Sequence, residues 1–286
     1  GMNAPRSAPQ AMPETLLASL RGLLAIYAMV FRTIWRVQFQ YRASLVIWLI
    51  GTVLEPVILL VVWTTVAREQ GGSVNGMSAG DFAAYFIVGM VVNQLTFAWI
   101  MWEYEYYIRE GTLSAWLLRP LHPIHRDITD NISYKMLTGV VLVPTVAVLV
   151  WIFKPAFALS LWSTVAALPA LLLAFALRFV LEWTLAMAAF WTTRISAVNG
   201  LYYVAFLFFS GRLAPLALFP AAVVSLSLLL PFRWTLAFPI ELFLGRLSGR
   251  EALAGFGAQL LWLLVALLLQ RFVWRRALRH FAAVGG

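Results

Sequence analysis

The 286 residues are 62% hydrophobic and only 12% charged, with a mean hydropathy of +0.85, whereas a soluble domain carries roughly a quarter charged residues. This balance excludes an ordinary soluble enzyme and predicts an integral membrane protein. The net charge of +9 is nearly all arginine, because Lys135 and Lys154 are the only lysines, and it is expected at membrane edges rather than on nucleic acid. The absence of cysteine removes disulfides, thiolate metal sites and a cysteine nucleophile.

In chain order, residues 1–14 are expected to be a disordered N-terminus and 15–42 an amphipathic interfacial helix. Arg21, Arg32 and Arg36 fall on one face of that helix and Leu16, Leu23, Ile26, Val30, Ile34 and Val37 on the other. Arg21 also interrupts the apolar run before a plausible cleavage site, so the first span is expected to stay as an anchor. Residues 43–275 then predict a six-span transmembrane domain, and 276–286 a cytoplasmic tail. The spans are 43–67, 82–102, 136–153, one within 156–191, 195–210 and 252–270, each an apolar run near the length that crosses hydrocarbon. Between the last two, Gly211–Phe232 is apolar but punctuated by Pro215, Pro220 and Pro231, which suits an outer re-entrant hairpin. With both termini inside, fourteen lysines and arginines face the cytoplasm and six face outward, with Arg178 left inside the fourth span. A seventh span would put Arg271, Arg275, Arg276 and Arg279 outside. The expected fold class is therefore an all-α integral membrane protein with a surface helix, six transmembrane helices and an outer re-entrant hairpin.

The polar stretch Glu103–Ile128 stands apart from this apolar background. Thr112 is expected as an N-cap after a turn at Gly111, opening a short helix from Leu113 that stops before Pro120. Arg109, Glu110 and Arg119 flank it for salt bridges, Trp116, Leu117 and Leu118 give it an apolar side, and Pro120 and Pro123 stiffen its exit. A docking surface and a solvated connector both fit this pattern. His122 and His125 form an H-x-x-H, but Pro123 disfavours a regular helix there and no cysteine completes a shell, so no metal site is expected. The sequon at Asn131–Ser133 falls on the cytoplasmic side and is read as coincidence. Neither lysine follows a glycine as a P-loop requires, so ATP would bind elsewhere.

Within the spans, Arg178 and Glu182 lie one helical turn apart and predict an intramembrane ion pair. Glu55 has no local partner. A protonated side chain, a pore-facing one and a salt bridge to a partner subunit all remain open for it. Asn93, Gln94 and Asn199, with Tyr202 and Phe206, fit either helix packing or a candidate translocation path.

"IREGTLSAWLLRPLHP" resembles the first cytoplasmic loop of type-2 permeases of bacterial ABC exporters. "FQYRASLVIWLIG", "FFSGRLAPLALFP", "LPFRWTLAFPIELFLG" and "WRRALRHFAAVGG" resemble other segments of that family, in order, over nearly the whole chain after Arg32. The resemblance implies a permease subunit whose loop is a coupling helix seated on a separate ATPase. Arg109, Glu110, Gly111, Thr112, Leu113, Trp116, Arg119, Pro120, His122 and Pro123 are then the coupling residues. It further implies a second permease subunit, as a homodimer or heterodimer, around one path in the bacterial inner membrane. This chain would hold no cofactor, with ATP and magnesium in the ATPase, and would not itself be an enzyme. Its other partners would be membrane lipids. The rivals are an ion-coupled secondary transporter, which would usually show paired halves, and a lipid-modifying membrane enzyme, which would need a catalytic cluster at one membrane face.

Overall fold

The computed structural model describes residues 25, 28, 29, 32, 42–118, 122–192 and 195–284. The expected disordered terminus, most of the surface helix, and Arg119, Pro120 and Arg194 lie outside them.

Helix α1 runs Arg42–Glu69 with Pro56 inside it. At 1.5 Å per residue its 28 residues reach about 42 Å. A two-residue hairpin follows, β1 (Ser73–Val74) pairing antiparallel with β2 (Met77–Ser78). Its turn residues Asn75 and Gly76 both have positive φ, the twist that closes a two-residue hairpin. Asn75 Nδ2 donates to the Ala217 carbonyl, tying the hairpin to the segment after the fifth expected span. Helix α2 (Ala79–Thr96) starts at a capping box in which Ser78 and Asp81 satisfy each other's backbone N–H groups.

The chain then departs from expectation. The second span, read as continuous over 82–102, is broken at Phe97–Trp99 and resumes as α3 (Ile100–Arg109). Gly111, at φ 70° in the left-handed region open to glycine, turns the chain into the short α4 (Thr112–Leu117). Gly111 is therefore the N-cap, and Thr112 lies inside the helix, which corrects the expected cap. Helix α5 (Pro123–Phe153) begins well before the expected Met136, with Pro123 in its first turn and His122 as its cap. Its opening residues looked like loop because they are polar, yet Asp127, Asn131 and Ser133 are buried against neighbouring helices.

Helix α6 (Leu161–Ala186) opens on a Ser160–Ser163 capping box and tightens into a 3₁₀ turn at Met187–Phe190. Helix α7 (Ile195–Phe209) follows. Beyond it come a 3₁₀ turn at Leu216–Leu218 and the short helices α8 (Ala221–Leu229), α9 (Phe232–Thr235) and α10 (Ala237–Phe243). The last helix, α11 (Gly249–Val284), passes without interruption into the expected tail at 276–286.

Among the described residues, four helical stretches are long and apolar enough to cross a membrane: Ala79–Arg109, Pro123–Phe153, Leu161–Phe190 and Gly249–His280. Ile195–Phe209 is apolar but shorter. Three apolar clusters hold the bundle. One joins α1, α2, α5 and α10 around Phe82, Phe86 and Ile240; a second joins α6, α10 and α11 around Leu177, Phe238 and Ala266. The third gathers Tyr104, Leu113, Trp116, Trp183 and Met187 under α4. At the far end of α2, Arg246 reaches Asp81 and Arg233 pairs with Glu241 at 2.9 Å.

Candidate coupling loop and membrane cavity

The loop around α4 is anchored on one side and open on the other. Leu113 and Trp116, three residues apart, point inward and are buried, while Leu118 is 89% exposed. Of the expected apolar side, Trp116 and Leu117 pack inward, joined by Leu113, and only Leu118 turns out. Trp116 packs edge-on to Tyr107 at 4.6 Å, and the Arg126 guanidinium lies 3.7 Å from the Trp116 ring centroid, a cation–π contact that offsets the burial of its charge. Arg109 and Glu110 remain outward, with only long contacts to each other at 3.8 Å and from Arg109 to Glu105 at 4.0 Å. Pairs so exposed contribute little stability. Their charge is available to another surface.

Beneath the loop lies a buried polar node. Tyr104 Oη donates to Asp127 Oδ2 at 2.6 Å, and Trp183 Nε1 donates to the same oxygen at 2.9 Å. This ties α3, α5 and α6 together just inside the loop. His122 packs at a tilt against Trp183 and Trp274, with centroids 5.6 and 4.7 Å away, bringing in α11. Its Nδ1 accepts the Ile124 N–H, so that nitrogen is committed to capping α5. Burial, and then the neighbouring His125, lower the His122 pKa below 6.5, which keeps the imidazole neutral as the cap requires.

A second polar system crosses the bundle between the apolar helices. Arg178 Nε sits 2.7 Å from Glu182 Oε1, both side chains being 2% exposed. Arg178 also donates to Asn93 Oδ1 at 2.8 Å and Thr96 Oγ1 at 3.1 Å. Tyr202 Oη donates to Glu182 Oε1. The same Asn93 oxygen accepts from Arg212 at 3.2 Å, and Arg212 holds Glu55 in a two-pronged pair at 3.0 and 2.9 Å. Glu55 therefore has a partner in its own chain, 157 residues away. Arg212, counted as an outer-side charge, reaches it because Gly211 turns the chain at φ 84°. A side chain at Gly211 would also collide with Tyr85, whose hydroxyl donates to the Gly211 carbonyl.

This network borders a cavity of about 390 Å³ lined by Ile47, Gly51, Phe97, Trp99, Trp102 and Tyr203, with Glu55, Asn93 and Arg212 as its polar part. Trp99 and Trp102 stack at 5.5 Å. A recess with Arg178, Glu182, Asn199, Tyr202 and Phe206 adjoins it, sharing Phe97, Trp102, Tyr203 and Arg212. Of the candidate path residues, Glu55 and Asn93 line the cavity, and Asn199, Tyr202 and Phe206 line the recess. Gln94 lines neither and donates to Thr138 on α5. The sequence reading missed Arg212 and Lys135. An arginine inside an apolar, proline-punctuated segment was the available signal for the first.

Apolar helices around mutually neutralised charges and an open cavity mark a multi-pass, all-α membrane protein. Residues 53–285 match the family described as ABC-2 family transporter protein, and the chain belongs to that family. It is accordingly a membrane transport subunit rather than a catalytic enzyme, and membership implies an ATPase partner. Comparison with curated proteins gives no match.

Proposed function

We propose that the chain is the permease subunit of an ATP-driven exporter, with six spans, an outer re-entrant hairpin and both termini cytoplasmic. It pairs with a second permease in the bacterial inner membrane and supplies half of the path. ATP and magnesium are bound by a separate ATPase, which docks on the Arg109–Pro123 loop.

The observation that carries this reading, beside family membership, is the two-sided α4. Leu113 and Trp116 root it in the helices, while Leu118, Arg109 and Glu110 are presented outward. A partner closing on that surface pushes on α3, α5 and α6 together, because Asp127 joins them. The cavity beside Glu55 and Arg212 is the segment of path that such a push would reshape.

The test is co-purification and transport. Glu110→Lys reverses an exposed charge and is expected to insert normally, lose most of the bound ATPase and lose transport. Gly111→Val, strained at positive φ, is expected to keep more ATPase but misaim α4. Normal ATPase binding and transport in both variants would leave the loop a solvated connector. Glu55 at the cavity also suits an ion-coupled carrier. Vesicles given ATP alone or an ion gradient alone discriminate the two, and uptake driven only by the gradient would sink the exporter reading.

A further inference from the structure

The break between α2 and α3 has no proline or glycine to explain it, since it reads Thr96, Phe97, Ala98, Trp99. Sharp interruptions of this kind otherwise arise where a side chain inserts into the backbone ladder. Here side chains from two other helices do so. Lys135 Nζ, on α5, donates to the Phe97 carbonyl and to Asn131 Oδ1. Glu182 Oε2, on α6, accepts the Ala98 N–H at 3.0 Å. The Phe97 carbonyl and the Ala98 N–H are thus each met by a side chain of the matching sign. Unpaired backbone at membrane depth is tolerated only when buried in protein or lining a cavity, and Phe97 and Trp99 line the cavity.

The break is also a mechanical boundary. Val92 belongs to the apolar cluster of α1, α2 and α10, whereas Ala98 and Ile100 belong to the cluster under α4. From the break, α3 runs directly to Gly111 and α4, so the docking helix is mounted on its far end. Trp102, one turn past the break, faces the cavity opposite Glu55 and Arg212.

We propose that Lys135 and Glu182 are positioning residues of the transport cycle. They hold Phe97–Trp99 as a hinge about which α3 and α4, with the ends of α5 and α6 tied to them through Asp127, swing as one piece against α1 and α2, carrying Trp102 across the cavity. This inference rests on the permease reading.

The cysteine-free chain allows a direct measurement. Ser73→Cys and Ser114→Cys, both at exposed sites, are spin-labelled in lipid vesicles, and the distribution of distances between them is recorded. A Ser73→Cys and Ser248→Cys pair, which does not cross the hinge, is the control. Lys135→Met is expected to widen the Ser73–Ser114 distribution about two-fold and to leave Ser73–Ser248 unchanged. Lys135→Arg, which keeps a cationic donor, is expected to restore the narrow distribution. An unchanged width in Lys135→Met, equal widening of both pairs, or failure of arginine to rescue would overturn the hinge. If Lys135→Met does not insert, Lys135→Gln is judged by the same outcomes. In the assembled transporter isolated from its own membranes, trapping ADP with vanadate after ATP hydrolysis should shift the Ser73–Ser114 distance, and no shift would also overturn the hinge. Absence of any ATPase in that preparation would instead overturn the permease reading.

Discussion

The two polar systems of this bundle solve the same problem differently. Under the coupling loop, one carboxylate, Asp127, is met by the neutral donors of Tyr104 and Trp183 inside an aromatic cluster. At the cavity, two full ion pairs, Glu55–Arg212 and Arg178–Glu182, share the single oxygen of Asn93. Trp183 Nε1 also reaches Tyr104 Oη at 3.1 Å, so the neutral donors close a small ring around Asp127 and the first system fixes three helices. Two arginines on one acceptor can each trade it for another, so the second is suited to rearrangement. In the proposed cycle, rigidity sits where force is received and exchangeable charge where the path is reshaped.

The comparison breaks most visibly at Arg178. Arg178→Met leaves Glu182 buried without its ion-pair partner, and breaking a buried pair costs about 3–5 kcal/mol. Thermal melting in detergent should show the protein severely destabilised, and the double variant Arg178→Met with Glu182→Gln should recover part of the loss. A double variant no better than the single one would contradict the pairing. At the loop node, Trp183→Phe removes one donor from Asp127 and should cost about 1–3 kcal/mol, the usual penalty for an under-satisfied buried group. The same melts measure it, with Tyr104→Phe expected to match.

The smaller effects sharpen the contrast. His122→Ala removes the cap of α5 and should cost about 1 kcal/mol. Because burial lowers the folded-state pKa of His122 below 6.5, its contribution is complete above the unfolded value near 6.5. It is lost as pH falls through the lower folded value. Melting temperature should thus fall more steeply on acidification below 6.5 in the parent than in His122→Asn, which caps without titrating. Equal slopes would refute the neutral cap. Smallest is Arg109→Ala, whose exposed contacts are worth about 0–1 kcal/mol. It should melt like the parent, although its charge is the one we propose to face the ATPase.

What the sequence revealed depended on how far a residue's partner lay along the chain. Helix α1 and helix α7 end within a residue or two of the expected bounds, because unbroken apolar runs between charges mark them. Arg178 and Glu182 were readable because one helical turn separates them. Glu55–Arg212 was not, since its members come from different helical segments and nothing in either neighbourhood names the other. The break at Phe97–Trp99 was equally hidden. Its cause is Lys135 and Glu182, 38 and 84 residues from the backbone groups they meet, while the local composition is that of a continuous span. The early start of α5 could have been read from Pro123 in a first helical turn, but its buried polar residues resembled a loop.

The length of α3 sets a gear ratio. Its ten residues place α4 about 15 Å from the break, whereas Trp102 lies only about 4–5 Å along the same rod. A displacement at the loop is therefore delivered to the cavity wall reduced roughly three-fold, with force increased in the same proportion. A longer second segment would favour force still further, and a shorter one would favour travel, so the ten-residue rod fixes how coarse a movement at the membrane surface becomes a fine one within it.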